Sequence, residues 1–199
     1  MEIKLTYRRT SRLYMRIAKN GDVHVSAPYG MSKNKIEAFV NEHLEWIEGA
    51  RQRNADRQKR RADFYGQLPL NTRALKEDAI KRLKVLVEPM IEHYSDIMGV
   101  RAAYISYKPM ISRWGVCRFK EHSICFSIYL LLLPDWCIEH VVVHELCHML
   151  EPSHNARFHD LMDKYYPRWR DARKQTRHIH IDTLSCQCPS PSKHGDKKD

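Results

Sequence analysis

Apolar and polar residues alternate along 2–8 and again along 12–18, and β-formers fill both stretches. Each therefore predicts a strand. Asn20-Gly21-Asp22 is a hairpin-turn signal, and Val23-His24-Val25-Ser26-Ala27 reads as the returning strand, ended by Pro28. After Ser32 the period changes. Ile36, Phe39, Val40, Leu44, Trp46 and Ile47 recur at helical spacing, which predicts one helix from about Lys33 to Arg53 with Ser32 as its cap. The basic stretch 51–61 reads as an exit linker or a fraying helix end, and Phe64-Tyr65-Gly66-Gln67-Leu68-Pro69-Leu70 as a turn-rich join.

A long amphipathic helix is predicted over Thr72 to Met98, with Leu75, Ala79, Leu83, Leu86, Val87, Met90 and Ile91 on one face. Pro89 is a potential kink and Gly99 a stop. Ala102 to Tyr107 and Ser123 to Ile128 read as strands. Leu133-Pro134-Asp135 opens a further helix, with Pro just inside it, and Pro152 closes it. The run Val141-Val142-Val143 alone fits a strand, but the Pro-to-Pro length favours helix. Two more helices are expected near 155–165 and 167–178. The pattern predicts an α+β fold: an N-terminal β-hairpin and helix module over 1–60, a helical core with a small sheet over 61–180, and a disordered Pro-, Ser- and Lys-rich tail over 181–199.

A chain of 199 residues allows one domain, or one with a small appendage, and its 43% hydrophobic content is ordinary for a globular protein. No apolar run reaches the length of about 18 residues that a membrane span needs. The N-terminus lacks the apolar core of a signal peptide. The six cysteines show neither CxxC nor disulfide-framework spacing. These features predict a cytoplasmic, reduced protein. The net charge of +10 is concentrated in three places. Arg8, Arg9, Arg12 and Arg16 form one cluster; Arg51, Arg53, Arg57, Lys59, Arg60 and Arg61 a second; Arg168, Arg170, Arg173, Lys174 and Arg177 a third. Such a surface attracts nucleic acid or another polyanion, or else consists of solvated helix faces.

The chemistry lies in His144-Glu145-Leu146-Cys147-His148, an HExxH sequence followed by His154. Two His four apart on a helix lie on one side, one turn above each other. They can share one Zn²⁺, and the Glu between them can activate its water. A third His beyond the helix would leave one position open, the pattern of a catalytic rather than a structural zinc. No Glu follows Glu151, so a later Glu ligand is excluded. His154 fits best, because Glu151-Pro152 ends the helix and Ser153 can cap a new one. His159, Asp160 and Asp163 remain as alternatives. The spacing His144, His148, His154 equals that of metzincins, but Glu151 stands where their turn has Gly.

Together with Val25-Ser26-Ala27-Pro28, Trp46-Ile47, Ser112-Arg113-Trp114-Gly115-Val116-Cys117 and His154-Asn155-Ala156-Arg157-Phe158, this motif resembles the YgjP-like bacterial zinc metallopeptidases, relatives of the SprT-like and WLM proteases. The resemblance runs from the N-terminal hairpin to about residue 178. It implies that His144, His148 and His154 bind zinc, that Glu145 is catalytic, and that the core is zincin-like. At His159 the chain departs from these relatives, which often carry Trp there.

The expected activity is metal-assisted hydrolysis of peptide bonds, with Glu145 as general base. Arg113, Tyr165 and Tyr166 are the candidates to bind substrate or meet a developing oxyanion. Asp160 or Asp163 could receive the N–H of a ligand His. An extended polypeptide would add to an open strand edge beside the zinc helix, and 123–128 could supply that edge. Two alternatives use the same zinc. One is hydrolysis of a small phosphorylated substrate, such as a nucleotide phosphoanhydride clamped by Arg. The other is a protease acting on DNA-bound partners, by analogy with SprT-like proteins.

Overall fold

The computed structural model describes residues 3–18 and 20–180. They fall into two compact units, divided between Arg60 and Arg61. In the first, β1 (Ile3–Arg8), β2 (Tyr14–Ile17) and β3 (Val23–Pro28) form a sheet in the order β1-β3-β2. β2 and β3 are the expected antiparallel hairpin, with Gly21 in the left-handed region at φ 85. β1 runs parallel to β3 on its other side. Met15, Ile17, Val23, Val25 and Ala27 point to one face and bury against Ile36, Phe39, Val40, Ile47 and Ala50.

Those last residues lie on two helices, where the apolar period predicted one. α1 (Lys33–Glu42) and α2 (Leu44–Gly66) are separated at His43. Its Nδ1 lies 2.8 Å from the Phe39 carbonyl, and its backbone N–H turns to Val40 instead. A side chain thus takes the carbonyl that the helical ladder would use. Ser32 precedes α1 without a side-chain cap bond. The basic stretch 51–61 is not a linker but the middle of α2. It contains neither Gly nor Pro, and Gln52 bonds Asp56 one turn on at 3.0 Å; helix propensity decides there, not apolar periodicity.

In the second unit α3 (Arg73–Met98) begins at Thr72, whose side chain accepts the Leu75 N–H at 3.2 Å, and ends at Gly99 with φ 66. The helix continues through Pro89. β4 (Tyr104–Lys108), β5 (Gly115–Arg118) and β6 (Ser123–Ser127) form a sheet in the order β4-β6-β5. β6 is parallel to β4 and antiparallel to β5. It is buried along its whole length. Segment 123–128, which could have supplied an edge, is thus the centre of the sheet, and the edge beside α4 belongs to β5, a strand the pattern did not predict.

α4 (Asp135–Cys147) passes through the middle of this core. Ile138, Val141, Val142, Val143 and Leu146 are buried around its circumference, so the valine run is helical. Pro134 sits at its N-cap rather than inside the first turn. α5 (Ala156–Tyr165) and α6 (Trp169–His180) follow. Asn155, not Ser153, caps α5: its side chain accepts the Phe158 N–H at 3.1 Å. The architecture is α+β, as the pattern predicted. No helix among the described residues is long and apolar enough to cross a membrane. The expected tail, with Cys186 and Cys188, lies outside the described residues.

Candidate functional site

His144 stands in the last turn of α4 and His148 at its C-cap. Glu151-Pro152 then turns the chain, so that His154 arrives just before the cap of α5. The three Nε2 atoms converge. His148 lies 3.2 Å from His144 and 3.1 Å from His154, and His154 lies 3.2 Å from His144. Nitrogens bound tetrahedrally at about 2.0–2.1 Å stand about 3.3 Å apart. The triangle therefore matches three vertices around one divalent ion, with the fourth left open. Among the described residues these three His are the group able to hold a metal.

The tautomers suit the task. His148 Nδ1 is 3.1 Å from the Glu151 carbonyl, to which it donates, so its Nε2 lone pair turns inward. Burial lowers the pKa of His144, helped by repulsion from His148, His140 and His154. Burial also lowers His148 and His154. All three are neutral at neutral pH, as metal ligands must be.

One side chain braces the triad. Phe158, buried on α5, stacks on His148 at 4.6 Å between ring centroids and meets His144 at 5.0 Å and His154 at 4.8 Å edge-on. Sequence reasoning gave it no role; its signal was an apolar residue four after His154, one turn along the capped helix. Phe158→Ala is expected to weaken metal binding by about 10–100-fold while far-ultraviolet circular dichroism stays unchanged, read by competition with a chelator. Unchanged affinity would remove the bracing role.

Glu145 is buried beneath the triad, 5% exposed. Its carboxylate lies against β5, where the Cys117 backbone N–H donates to it. Burial raises its pKa to about 8, against the opposing pull of that N–H and of the Arg113 guanidinium. Gly115 makes the approach possible, since a Cβ there would stand 2.5 Å from Oε1. Ser112, Arg113, Val116, Phe119 and Pro152 line the rest of the cleft. Ser127 N–H bonds the Trp114 carbonyl at 2.8 Å, which fixes the alternation along β5. Residues 114, 116 and 118 face β6, while the backbone groups of Gly115 and Cys117 face outward.

The other residues singled out from the sequence fare differently. Arg113 is exposed at the cleft wall. Tyr165 and Tyr166 do not line the cleft. The Tyr166 hydroxyl donates to the Trp136 carbonyl at 2.7 Å, and the Lys164 ammonium covers the Tyr165 ring at 4.8 Å. His159 lies outside the triad and stacks on Trp169. Asp163 accepts from Trp169 Nε1 at 2.7 Å and pairs with Arg170, while Asp160 is exposed. Neither takes the N–H of His148, which goes to a backbone carbonyl.

An α+β core that presents three converging imidazoles over a buried glutamate defines a metallohydrolase type of site. The chain matches the family described as YgjP-like, metallopeptidase domain, over residues 11–72 and 66–179, and it belongs to that family. No curated protein matches it. Among solved structures it is similar to the metallopeptidase zymogen abylysin of Pyrococcus abyssi, at 23% identity and a TM-score of 0.43, over 46% of this chain and 92% of that one.

Proposed function

We propose that this chain is a zinc-dependent peptidase that hydrolyses extended polypeptide along the outer edge of β5. The observation that carries the reading is the convergence of three Nε2 atoms within 3.2 Å of one another above a buried carboxylate. His144, His148 and His154 would hold one Zn²⁺, the metal that imidazole ligands and cellular supply favour over Mn²⁺ or Co²⁺. When bound, the ion lowers the pKa of a water towards neutrality and polarises a carbonyl. Glu145 takes the proton of the attacking water and passes it to the leaving amine. A carboxylate whose pKa burial has raised can do both near neutral pH. Arg113 steadies the charge on Glu145 and meets the negative charge that develops on the substrate. The outward backbone groups of Gly115, with the Cys117 carbonyl, form ladder hydrogen bonds to the substrate main chain.

Peptide is favoured over a phosphoanhydride by the cleft itself. Clamping a polyphosphate takes several cations, and among the described residues lining the cleft Arg113 is the single Arg or Lys. Elemental analysis of wild type and His154→Ala tests the metal. One zinc per chain is expected, falling below about a tenth in the variant. Incubation with unfolded polypeptide and with nucleoside triphosphates tests the substrate. Nucleotide hydrolysis without polypeptide cleavage would defeat the peptidase reading.

A further inference from the structure

The three basic clusters end in different circumstances. In the third, Arg170 pairs with Asp163, Arg173 and Arg170 lie over the Trp169 ring, and Arg168 lies over Trp136. In the second, Arg61 donates to the Ile111 carbonyl and lies over Tyr65. The first cluster is on the N-terminal sheet and faces outward. Because Met15, Ile17, Val23, Val25 and Ala27 occupy the core side, their neighbours in sequence occupy the other. The register arranges these in rows across three strands. Lys4, His24 and Arg16 form one row; Thr6, Ser26 and Tyr14 form the next; Arg8 stands beside Pro28 in the third. Lys4, Thr6, Arg8 and Arg16 are exposed. Arg9 and Arg12 stand in the connection between β1 and β2, and among the described residues no acid pairs with Arg8, Arg9 or Arg12. Among the described residues, the acid at this surface is Asp22, 3.5 Å from Lys4.

We propose that this sheet face binds single-stranded RNA. Rows two residues apart are about 6.8 Å from one another, a step of the order of one extended nucleotide. Cations on either side of a central row are two such steps apart and hold the phosphates that flank two nucleotides. Tyr14 in that row offers a ring on which a base stacks, the combination of cations and aromatics that suits an unpaired strand. Thr6 and Ser26 place hydroxyls between the cation rows, where a ribose 2′-hydroxyl is the natural partner. An anionic membrane would call for an exposed apolar wedge on this face, and the rows contain none. The inference is independent of the peptidase reading, since every residue it uses belongs to the first unit.

Fluorescence anisotropy of the full chain with a labelled oligouridylate of about 20 nucleotides tests it. Binding should weaken with salt at a logarithmic slope of about −3. Lys4→Ala/Arg8→Ala/Arg16→Ala should lower affinity at least about tenfold and flatten that slope by about 2. Tyr14→Leu should lower affinity about tenfold and leave the slope alone. Circular dichroism verifies folding, and Arg8→Glu, at an exposed strand end, replaces the triple variant where that does not fold. Unchanged affinity in these variants would overturn the proposal. So would loss of binding on Arg57→Ala/Lys59→Ala/Arg60→Ala instead. Oligodeoxythymidylate, polyglutamate or phosphatidylserine vesicles bound as tightly as oligouridylate would overturn it too.

Discussion

Glu145→Gln is expected to lower the turnover of a polypeptide substrate by about 10³-fold, within the range that general acid–base groups contribute. Metal affinity should stay within a few-fold of wild type. The substitution changes one atom type and little else. Gln keeps the volume of Glu and a carbonyl oxygen to accept the Cys117 N–H, so neither β5 nor the helix need move. What is lost is the capacity to take a proton. The loss should appear in kcat, with KM little altered, because a proton acceptor acts in the transition state. A variant that turns over at the wild-type rate, with one zinc bound, would assign proton transfer to another group.

The same substitution has a second signature, in the metal-free protein. Burial raises Glu145 from 4.5 to about 8, so the folded chain holds a proton that the unfolded chain has released. Stability from this group is complete below pH 4.5 and is lost as pH rises through about 8. Gln cannot lose that proton. Metal-free Glu145→Gln should therefore gain in melting temperature over metal-free wild type as the buffer moves from about pH 5 to about pH 9. His144, His148 and His154 are common to both proteins, and their titration cancels in the difference. A difference independent of pH would mean that the carboxylate is solvated rather than enclosed.

How much of this could be read in the sequence depends on whether a feature is local. His144 and His148 were legible because the helical period alone sets two residues four apart on one side. His154 was legible because Pro152 must end the helix near it. β5 was not. It is four residues long, begins with glycine, and owes its place to the pairing of Val116 with Cys125 and of Cys117 with Ile124. Residues 123–127 announced a strand, but a period of two says nothing about neighbours, so the centre of the sheet was a candidate for its edge. Tyr166 was a candidate to bind substrate or meet a developing oxyanion. Its hydroxyl instead closes a contact with Trp136, which no local pattern encodes. Composition counts every Arg alike, whereas packing engages Arg61 in the second cluster and Arg168, Arg170 and Arg173 in the third.

Gly115→Ala is expected to abolish most activity while leaving zinc in place, and the reason is steric. An added methyl would stand 2.5 Å from Glu145 Oε1, 2.6 Å from Cγ and 2.7 Å from Cδ. Neither side can yield easily. β5 is fixed by its ladder to β6 and by the Ser127–Trp114 bond, and α4 is buried around its circumference. The backbone at Gly115 is not in the left-handed region, so a side chain there costs nothing in φ. The whole effect comes from the contact. Overpacking of this kind costs about 1–3 kcal/mol, and displacing the carboxylate should reduce kcat at least about 10²-fold. The three imidazoles are braced from Phe158, away from β5, so zinc stoichiometry should remain one per chain. A double-mutant cycle isolates the cause. In a Glu145→Ala background the methyl has room, and the destabilisation by Gly115→Ala should largely disappear, giving a coupling of about 1–3 kcal/mol. Equal destabilisation in both backgrounds would locate the strain elsewhere on β5, and wild-type turnover in Gly115→Ala would mean that the carboxylate does not need this strand to hold it.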